Sequence, residues 1–182
     1  MSGKHSFVLE SRDHQRRLPQ KIIIGRQEGE SMERIALKFI GFLYFFRERI
    51  QIETSLHNDS IPFTPDLVQL DYELRPVLWV ECGDCEVAKL KKIAIKVPEA
   101  EIWVLTRSSE TAANLIRVMT REKLKKNRYH ILALDESMFV EISGMIKSRN
   151  EIFWFKCNPD SPEMQFDFNS VWFELPFQVF HY

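Results

Sequence analysis

Two patterns of hydrophobic and polar positions alternate along the chain and predict both strands and helices. β-branched, alternating or short apolar runs predict strands; these runs lie at 6–11, 20–25, 49–54, 64–70, 77–80, 101–106, 130–134, 152–156, 164–169 and 171–180. Apolar residues at helical spacing predict helices; they lie at 32–47, 86–96, 110–126 and 137–147. The chain therefore combines a sheet with several amphipathic helices.

The order of these elements predicts the fold class. Residues 77–147 alternate strand, helix, strand, helix, strand, helix, which favours parallel strands joined by crossover helices. The stretches 6–11 and 20–25 predict a hairpin, and Pro176 places the last strand at an edge or a bulge. We therefore expect an α/β fold, a central mixed β-sheet flanked by helices, in a single domain spanning residues 1–182.

Phenylalanine is concentrated in two parts of the chain. Seven of the 14 lie between Phe153 and Phe180, and four lie between Phe39 and Phe46. The first group suits a sheet, and the second suits a helix buried in the core. The β-rich segment 148–182 is a candidate accessory hairpin, and its aromatic residues are a candidate surface for a homodimer or a protein partner.

Composition and charge narrow the class of protein. The 182 residues are 45% hydrophobic and 28% charged, with a formal charge of −1 at pH 7, which excludes a strongly basic, histone-like field. The longest apolar run is Phe42–Phe46, so we expect no membrane partner. Residues 1–17 are polar and do not form a signal peptide. Three cysteines without an export signal favour free thiols and a cytoplasmic location.

Two carboxylates fall where neighbouring strands of the predicted sheet meet. Asp66 opens one strand after Pro65, and Glu81 ends the next. Because antiparallel neighbours place the start of one strand beside the end of the other, the two side chains are expected at the same end of the sheet. Glu33, in the first turn of the buried helix, is a third candidate ligand. Carboxylate oxygens with open positions for water and phosphate are typical of Mg²⁺ or Mn²⁺ sites.

A turn and two lysines follow Glu81. Gly83 allows a close backbone approach as the chain turns from strand to helix. Lys89 and Lys92 lie one turn apart on one face of the next helix, within reach of the Glu81 site. An ammonium group placed there orients a water molecule and offsets charge that develops on a phosphoryl group.

Several short segments, in this order, resemble the YaeQ family: 31–34, 65–67, 78–83, the lysine-rich helix to Lys92, and 102–106. That family is placed by fold in the PD-(D/E)xK nuclease superfamily. The resemblance covers roughly residues 6–147. It implies a restriction-endonuclease-like core at about 20–147, with additional N- and C-terminal strands, the latter in 148–182.

The resemblance also assigns roles to residues. The superfamily pattern asks for a proline-aspartate, supplied by Pro65 and Asp66, and then an acid-x-lysine triplet. Glu81 supplies the acid, but Gly83 occupies the lysine position. The resemblance implies that Lys92, or else Lys89, takes over from the next helix, and that Glu33 is an extra metal ligand beside Asp66 and Glu81. It implies a Mg²⁺- or Mn²⁺-dependent nuclease, with nucleic acid as candidate partner, although YaeQ-like proteins have no settled activity.

Other interpretations stay open. Each carboxylate has an ordinary structural explanation, since Pro-Asp pairs open strands and acids suit a first helical turn. A nuclease fold without catalysis, acting as a binding or regulatory module, is the alternative function. The C-x-x-C pair Cys82 and Cys85 makes a thiol oxidoreductase a distant third, because such pairs stand between a strand and a helix in thioredoxin-like proteins. The basic run 117–128 is either a phosphate-binding patch or a solvated helix face.

Overall fold

A computed structural model describes residues 3–158 and 160–182, which form ten strands and four helices. The strands are β1 (Lys4–Ser11), β2 (Lys21–Gly25), β3 (Ile50–Ile52), β4 (Leu67–Leu70), β5 (Pro76–Cys82), β6 (Glu101–Thr106), β7 (Tyr129–Leu134), β8 (Arg149–Asn158), β9 (Glu163–Phe168) and β10 (Val171–His181). The helices are α1 (Met32–Phe45), α2 (Val87–Lys96), α3 (Ser109–Arg121) and α4 (Glu136–Gly144). The predicted mixture of sheet and helix is confirmed.

All ten strands belong to one mixed sheet, in the order β2-β1-β8-β9-β10-β7-β6-β5-β4-β3. The predicted hairpin of β1 and β2 forms, and β5, β6 and β7 are parallel neighbours as their crossover helices require. The parallel series ends there, because α4 leads to β8, which pairs in parallel with β1 instead. The other neighbouring pairs are antiparallel, so the sheet is mostly antiparallel.

The C-terminal strands are central to the sheet and do not form an accessory hairpin. β8, β9 and β10 lie between β1 and β7 and connect the two halves of the sheet. Pro176 is correspondingly not at an edge. It lies where β10 changes partners, since residues 171–176 pair with β9 and residues 177–181 pair with β7. A residue without an N–H is tolerated at this junction, where the hydrogen-bonding register changes.

The helix ends follow local capping chemistry. Ser31 caps α1 by accepting a hydrogen bond from the Arg34 N–H at 3.2 Å, as expected for a serine at this position. The predicted helix 110–126 is wrong at its C-terminal end, because α3 stops at Arg121. Lys123 adopts a left-handed φ of 54°, and the buried Leu124 folds back on the helix, with its N–H bonded to the carbonyl of Met119 at 3.0 Å.

Two apolar cores lie on opposite faces of the sheet. The larger contains α1, α4 and most of the C-terminal phenylalanines, with Phe39 stacked on Phe7 at 4.7 Å. The smaller contains α2 and α3. Alternation along β5 places Val80 in the first core and Trp79 in the second. Glu81 therefore shares the face of Trp79 and lies towards α2.

No helix in the described ranges combines the length and the apolar character needed to cross a membrane.

Candidate active site

Asp66 is a buried carboxylate at the start of β4, 4% exposed. Its backbone N–H donates to the carbonyl of Val80 at 3.2 Å, which continues the pairing with β5. Its Oδ2 accepts the backbone N–H of Cys82 at 2.7 Å, and the Arg34 guanidinium binds Oδ1 at 2.9 Å and Oδ2 at 3.0 Å. The pairing of β4 with β5 and the N-terminal part of α1 thus hold this side chain in one orientation.

Glu81 lies at the same end of the sheet and is 2% exposed. Its Oε1 accepts the indole N–H of Trp79 at 2.8 Å, and its Oε2 accepts a hydrogen bond from Lys89 Nζ at 2.7 Å. Burial raises the pKa of Glu81; Lys89 and Trp79 oppose this shift, whereas the charge of Asp66 adds to it. The opposing contacts show that Lys89 is the specific charge partner of this carboxylate.

The local backbone accounts for the absence of a lysine at Gly83. Gly83 has a φ of 84°, a left-handed conformation in which side chains are strained. Its N–H donates to the carbonyl of Leu105 at 2.8 Å, which fixes the turn out of β5. An added Cβ would lie 3.4 Å from the Leu37 side chain. A lysine two residues after Glu81 is therefore disfavoured, and the lysine of the site comes from α2.

The structure distinguishes the two candidate lysines. Lys89, in the first turn of α2, points back to Glu81, and its side chain is 28% exposed. Lys92 is exposed one turn later and forms no ion pair with any residue in 3–158 or 160–182. The resemblance favoured Lys92, but the geometry favours Lys89, because the N-terminal end of α2 is the part of the helix that is closest to Glu81.

Glu33 does not contact the other two carboxylates. Arg107, at the end of β6, binds both oxygens of Glu33 at 3.0 and 3.1 Å and also binds Glu136 at 2.6 Å. Arg34 lines both a cavity of about 500 Å³ beside Asp66 and a cavity of about 180 Å³ beside Glu33. Arg34 binds Asp66 and Glu30, whereas Glu33 binds Arg107, so the predicted third ligand is paired elsewhere.

A buried lysine that the sequence analysis missed completes the surroundings of Asp66. Lys38, in the middle of α1, has a side chain only 1% exposed, binds Glu30 and Glu53, the latter at 2.5 Å, and lies 3.9 Å from Asp66. Burial acts to lower the pKa of Lys38, but hydrogen bonds to Glu30 and Glu53 outweigh it, so the pKa is raised. The available signal was a lysine placed among the apolar positions of a buried helix.

Comparison of the chain with known proteins identifies its family. The YaeQ protein family matches residues 4–154. The chain belongs to the YaeQ family. No curated protein matches the sequence.

Crystal structures of two YaeQ proteins extend the likeness to the whole chain. The YaeQ protein from Xanthomonas axonopodis pv. citri is 17% identical, with a TM-score of 0.73 over 99% of this chain and 97% of that one. The YaeQ protein from Pseudomonas syringae is 15% identical, with a TM-score of 0.76 over 100% of this chain and 96% of that one. At these identities the likeness shows a common fold, which includes the C-terminal strands outside the family match.

Membership of the YaeQ family does not identify a ligand. Whether the site suits Mg²⁺ therefore has to be judged from its donor atoms. Asp66 and Glu81 offer hard carboxylate oxygens on adjacent strands, and Mg²⁺ is commonly held by one or two carboxylates completed by water and substrate phosphates. No group of three or more His, Cys, Asp or Glu side chains in residues 3–158 and 160–182 is arranged to hold a metal. The two carboxylates therefore suit a cation whose shell is completed by other ligands, and Glu33 is not part of that donor set.

The cysteines of the C-x-x-C pair lie next to this site but are poor nucleophiles. Cys82 is buried, and burial together with the charge of Asp66 raises the pKa of its thiol well above the usual value. Burial and Glu81 raise the pKa of Cys85 to about 12. Because the thiolate is the reactive form, this environment does not favour thiol chemistry at neutral pH.

The basic run is divided between two roles. Arg128 is half-buried and bonds the carbonyls of Val97 and Ala100 at 2.6 and 2.5 Å, so it stabilises the turn after α2. Arg117 and Arg121 are exposed on α3, and each contacts a neighbour on its own helix or at its end, Asn114 and Glu122. Part of the run is thus structural, and the rest is a solvent-exposed face.

Proposed function

We propose that this protein is a Mg²⁺- or Mn²⁺-dependent phosphodiesterase of nuclease type, with a restriction-endonuclease-like core and nucleic acid as its substrate. The main support for this proposal is that Asp66, Glu81 and Lys89 come together at one end of the sheet. The three residues come from β5, α2 and the residue before β4, and Lys89 Nζ lies 2.7 Å from Glu81 Oε2. Asp66 is tied to the residue after Glu81 through the Cys82 N–H.

This convergence supports the superfamily pattern in a modified form. Asp66 and Glu81, which match the aspartate and the acid of the pattern, lie at the same end of the antiparallel neighbours β4 and β5. The lysine comes from α2, because the left-handed turn at Gly83 disfavours it at its usual place. The ammonium of Lys89 nevertheless contacts Glu81 directly, because the chain turns back after β5 and brings the first turn of α2 next to this carboxylate.

The residues of the chain have distinct roles in the proposed hydrolysis. Asp66 and Glu81 would hold the cation, which supplies charge neutralisation at the phosphate and lowers the pKa of a bound water. The Cys82 N–H and the Trp79 indole orient the two carboxylates. Lys89 is partly exposed and places positive charge where the phosphoryl oxygens become more negative. In the net reaction, water adds to phosphorus, one P–O ester bond breaks, and the departing oxygen takes a proton.

A cleavage assay with matched variants tests this proposal. Purified protein is incubated with fluorescently labelled single- and double-stranded DNA and RNA, with Mg²⁺, with Mn²⁺ or with a chelator. We expect metal-dependent cleavage that Asp66→Asn, Glu81→Gln and Lys89→Met each reduce by about 10²-fold or more. Lys92→Met is the control, because Lys92 is an exposed lysine on the same helix. Calorimetry with Mn²⁺, with and without a non-cleavable phosphodiester, measures whether substrate completes the site.

The outcomes separate catalysis from a contaminating nuclease. Cleavage that survives Asp66→Asn and Glu81→Gln would show that another protein or another site is responsible. Absence of cleavage on all four substrates, together with absence of Mn²⁺ binding in the presence of the phosphodiester, would contradict the proposal. Circular dichroism and thermal melting of each variant exclude loss of folding as the cause of lost activity.

A second candidate, a nuclease fold that binds without cleaving, is favoured by one observation. Arg34 binds both oxygens of Asp66, so a cation must displace a guanidinium to reach this carboxylate. A binding module predicts nucleic-acid or protein binding that is independent of divalent metal and insensitive to Glu81→Gln. In that case Arg34→Met, which frees Asp66, would increase Mn²⁺ affinity without producing cleavage.

The fold does not place most of the C-terminal aromatic residues on an interface, because they pack in the core. Phe155 and Trp172 are exceptions: they form an exposed edge-to-face pair with centroids 4.7 Å apart.

Cys82, Cys85 and Cys157 are free thiols, which supports the proposed reducing, cytoplasmic location.

A further inference from the structure

A pair of histidines far from the carboxylates faces one another across two strands. His130 on β7 and His181 on β10 are register partners. The adjacent pair, Tyr129 and Tyr182, exchanges both backbone hydrogen bonds, at 2.8 and 3.0 Å. His130 and His181 therefore occupy a non-hydrogen-bonded position, where side chains of antiparallel strands approach most closely. Their Nδ1 atoms are 2.7 Å apart.

One of the two rings is held in place by packing. The His130 imidazole stacks on the Trp103 indole, with centroids 4.6 Å apart. Trp103 packs edge-on against Phe45 of α1 and donates its indole N–H to Glu101 at 3.3 Å. The His181 ring is exposed and lies at 89° to that of His130. The pair thus combines a fixed imidazole with one that is free to adjust and open to solvent.

We infer that His130 and His181 form a binding site for a divalent transition metal of the Zn²⁺ type. Each imidazole supplies one nitrogen, and water completes the coordination shell. Imidazole nitrogens suit Zn²⁺, Cu²⁺ and Ni²⁺, whereas Mg²⁺ prefers oxygen. The site is thus distinct in chemistry and position from Asp66 and Glu81. The inference does not depend on the proposed hydrolysis.

Binding requires the rings to move apart slightly and their protons to rearrange, because Zn–N bonds of about 2.0–2.1 Å set the two nitrogens about 3 Å or more apart. In the short Nδ1–Nδ1 contact, one Nδ1 carries a proton and the other accepts it. When a metal takes both nitrogens, the proton of the donating ring moves to its own Nε2, so both imidazoles stay neutral and no charge is lost.

The charged groups around the pair are of both signs. Glu101, on the neighbouring strand, accepts the indole N–H of Trp103 at 3.3 Å. Arg128 directs its guanidinium at the carbonyls of Val97 and Ala100. Arg47 lies 3.5 Å from Glu101, and both side chains are partly exposed. Glu101 is therefore the anionic group on the face that Trp103 and His130 share.

Titration calorimetry with ZnCl₂ in the absence of chelating buffer tests the site on the full-length chain. We expect the wild type to bind one zinc ion per chain that depends on the two histidines. Both His181→Ala and His130→Asn should weaken zinc binding by at least about tenfold. Loss of a residue that only orients a metal ligand already costs about that much affinity, and loss of the ligand itself should cost no less. Electron paramagnetic resonance of the Cu²⁺ complex should show nitrogen ligands in the wild type and lose one of them in His181→Ala.

Controls exclude other zinc ligands and loss of folding. His14→Ala removes an exposed histidine elsewhere, and Cys85→Ser removes a candidate ligand near the carboxylates; both should bind zinc at the histidine pair as the wild type does. His181 is exposed near the end of β10, so its replacement should leave the melting temperature unchanged. Wild-type protein that binds no zinc at micromolar concentrations, or binding unaffected by both histidine variants, would overturn the inference.

Discussion

Lys38 and Lys89 pair with carboxylates on two sides of the same centre, but they differ in burial. Lys38, from α1, has a side chain 1% exposed and contacts Glu30, Glu53 and Asp66. Lys89, from α2, has a side chain 28% exposed and contacts Glu81. A fully enclosed ammonium cannot meet a substrate, whereas a partly exposed one can. In the proposed mechanism, the α1 side therefore stabilises Asp66, and the α2 side supplies the charge that faces the substrate.

This difference separates stability from activity in a way that substitutions can measure. Removing a fully buried charge leaves its partners uncompensated, which costs much more than removing a partly solvated one. If the comparison is right, the effects on unfolding free energy should decrease in the order Lys38, Asp66, Lys89, Lys92. The effects on activity should instead be large at Asp66 and Lys89 and absent at Lys92.

Lys38→Met should give the largest loss of stability, about 3–5 kcal/mol, because Glu30 and the neighbouring carboxylates remain buried without their cation. Urea denaturation followed by circular dichroism measures the unfolding free energy. Lys92→Met is the matched control and should stay within about 0.5 kcal/mol of the wild type. A loss below about 1 kcal/mol at Lys38 would show that the buried network tolerates the missing charge.

Asp66→Asn should reduce stability by about 1–3 kcal/mol, because Arg34 and Lys38 lose an anionic partner while the amide oxygen can still accept the Cys82 N–H. The same variant should abolish Mn²⁺ binding in the calorimetric experiment. Retention of wild-type metal affinity would remove Asp66 from the donor set, whatever the change in stability.

Lys89→Met should cost less stability than Lys38→Met, about 1–2 kcal/mol, because it leaves one buried carboxylate, Glu81, without its cation and the ammonium itself is partly solvated. Cleavage should nevertheless fall by about 10²-fold or more. Parallel measurement of melting temperature and cleavage rate checks this separation. Equal losses in Lys89→Met and Lys92→Met would indicate a general effect of lysines on α2.

Glu81 should give the smallest effect, a pH dependence of stability. Burial raises its pKa above the ordinary 4.5, so the folded state retains a proton that the unfolded state has released. Stability should therefore fall as the pH rises from about 4.5 through the pKa of the folded state. This component should disappear in Glu81→Gln and extend to higher pH in Lys89→Met, where the ammonium that lowers the pKa is missing. Identical pH profiles in all three proteins would contradict the assignment.

Local patterns were sufficient to predict most of the secondary structure and to place Asp66 and Glu81 at the same end of the sheet. Both depend on neighbours in sequence, since alternation and helical spacing are local, and β4 and β5 are joined by a short turn. The end of α3 was predicted too late in the chain, because the spacing of residues after Arg121 still suits a helix. The left-handed turn at Lys123 that ends the helix has no signal in that spacing. The central position of β10 was missed because Pro176 suits an edge unless the partner strand changes at that residue.

Which charges meet at the site was decided by the tertiary structure. The sequence by itself determined the family, the alternation of strands and helices, and the two acids at one end of the sheet. It did not determine that Lys89 rather than Lys92 reaches Glu81, that Glu33 pairs with Arg107, or that Lys38 is buried beside Asp66. Nor did it bring His130 and His181 together. Such contacts join residues on different elements, and only the packing of helices on the sheet sets the distances between them.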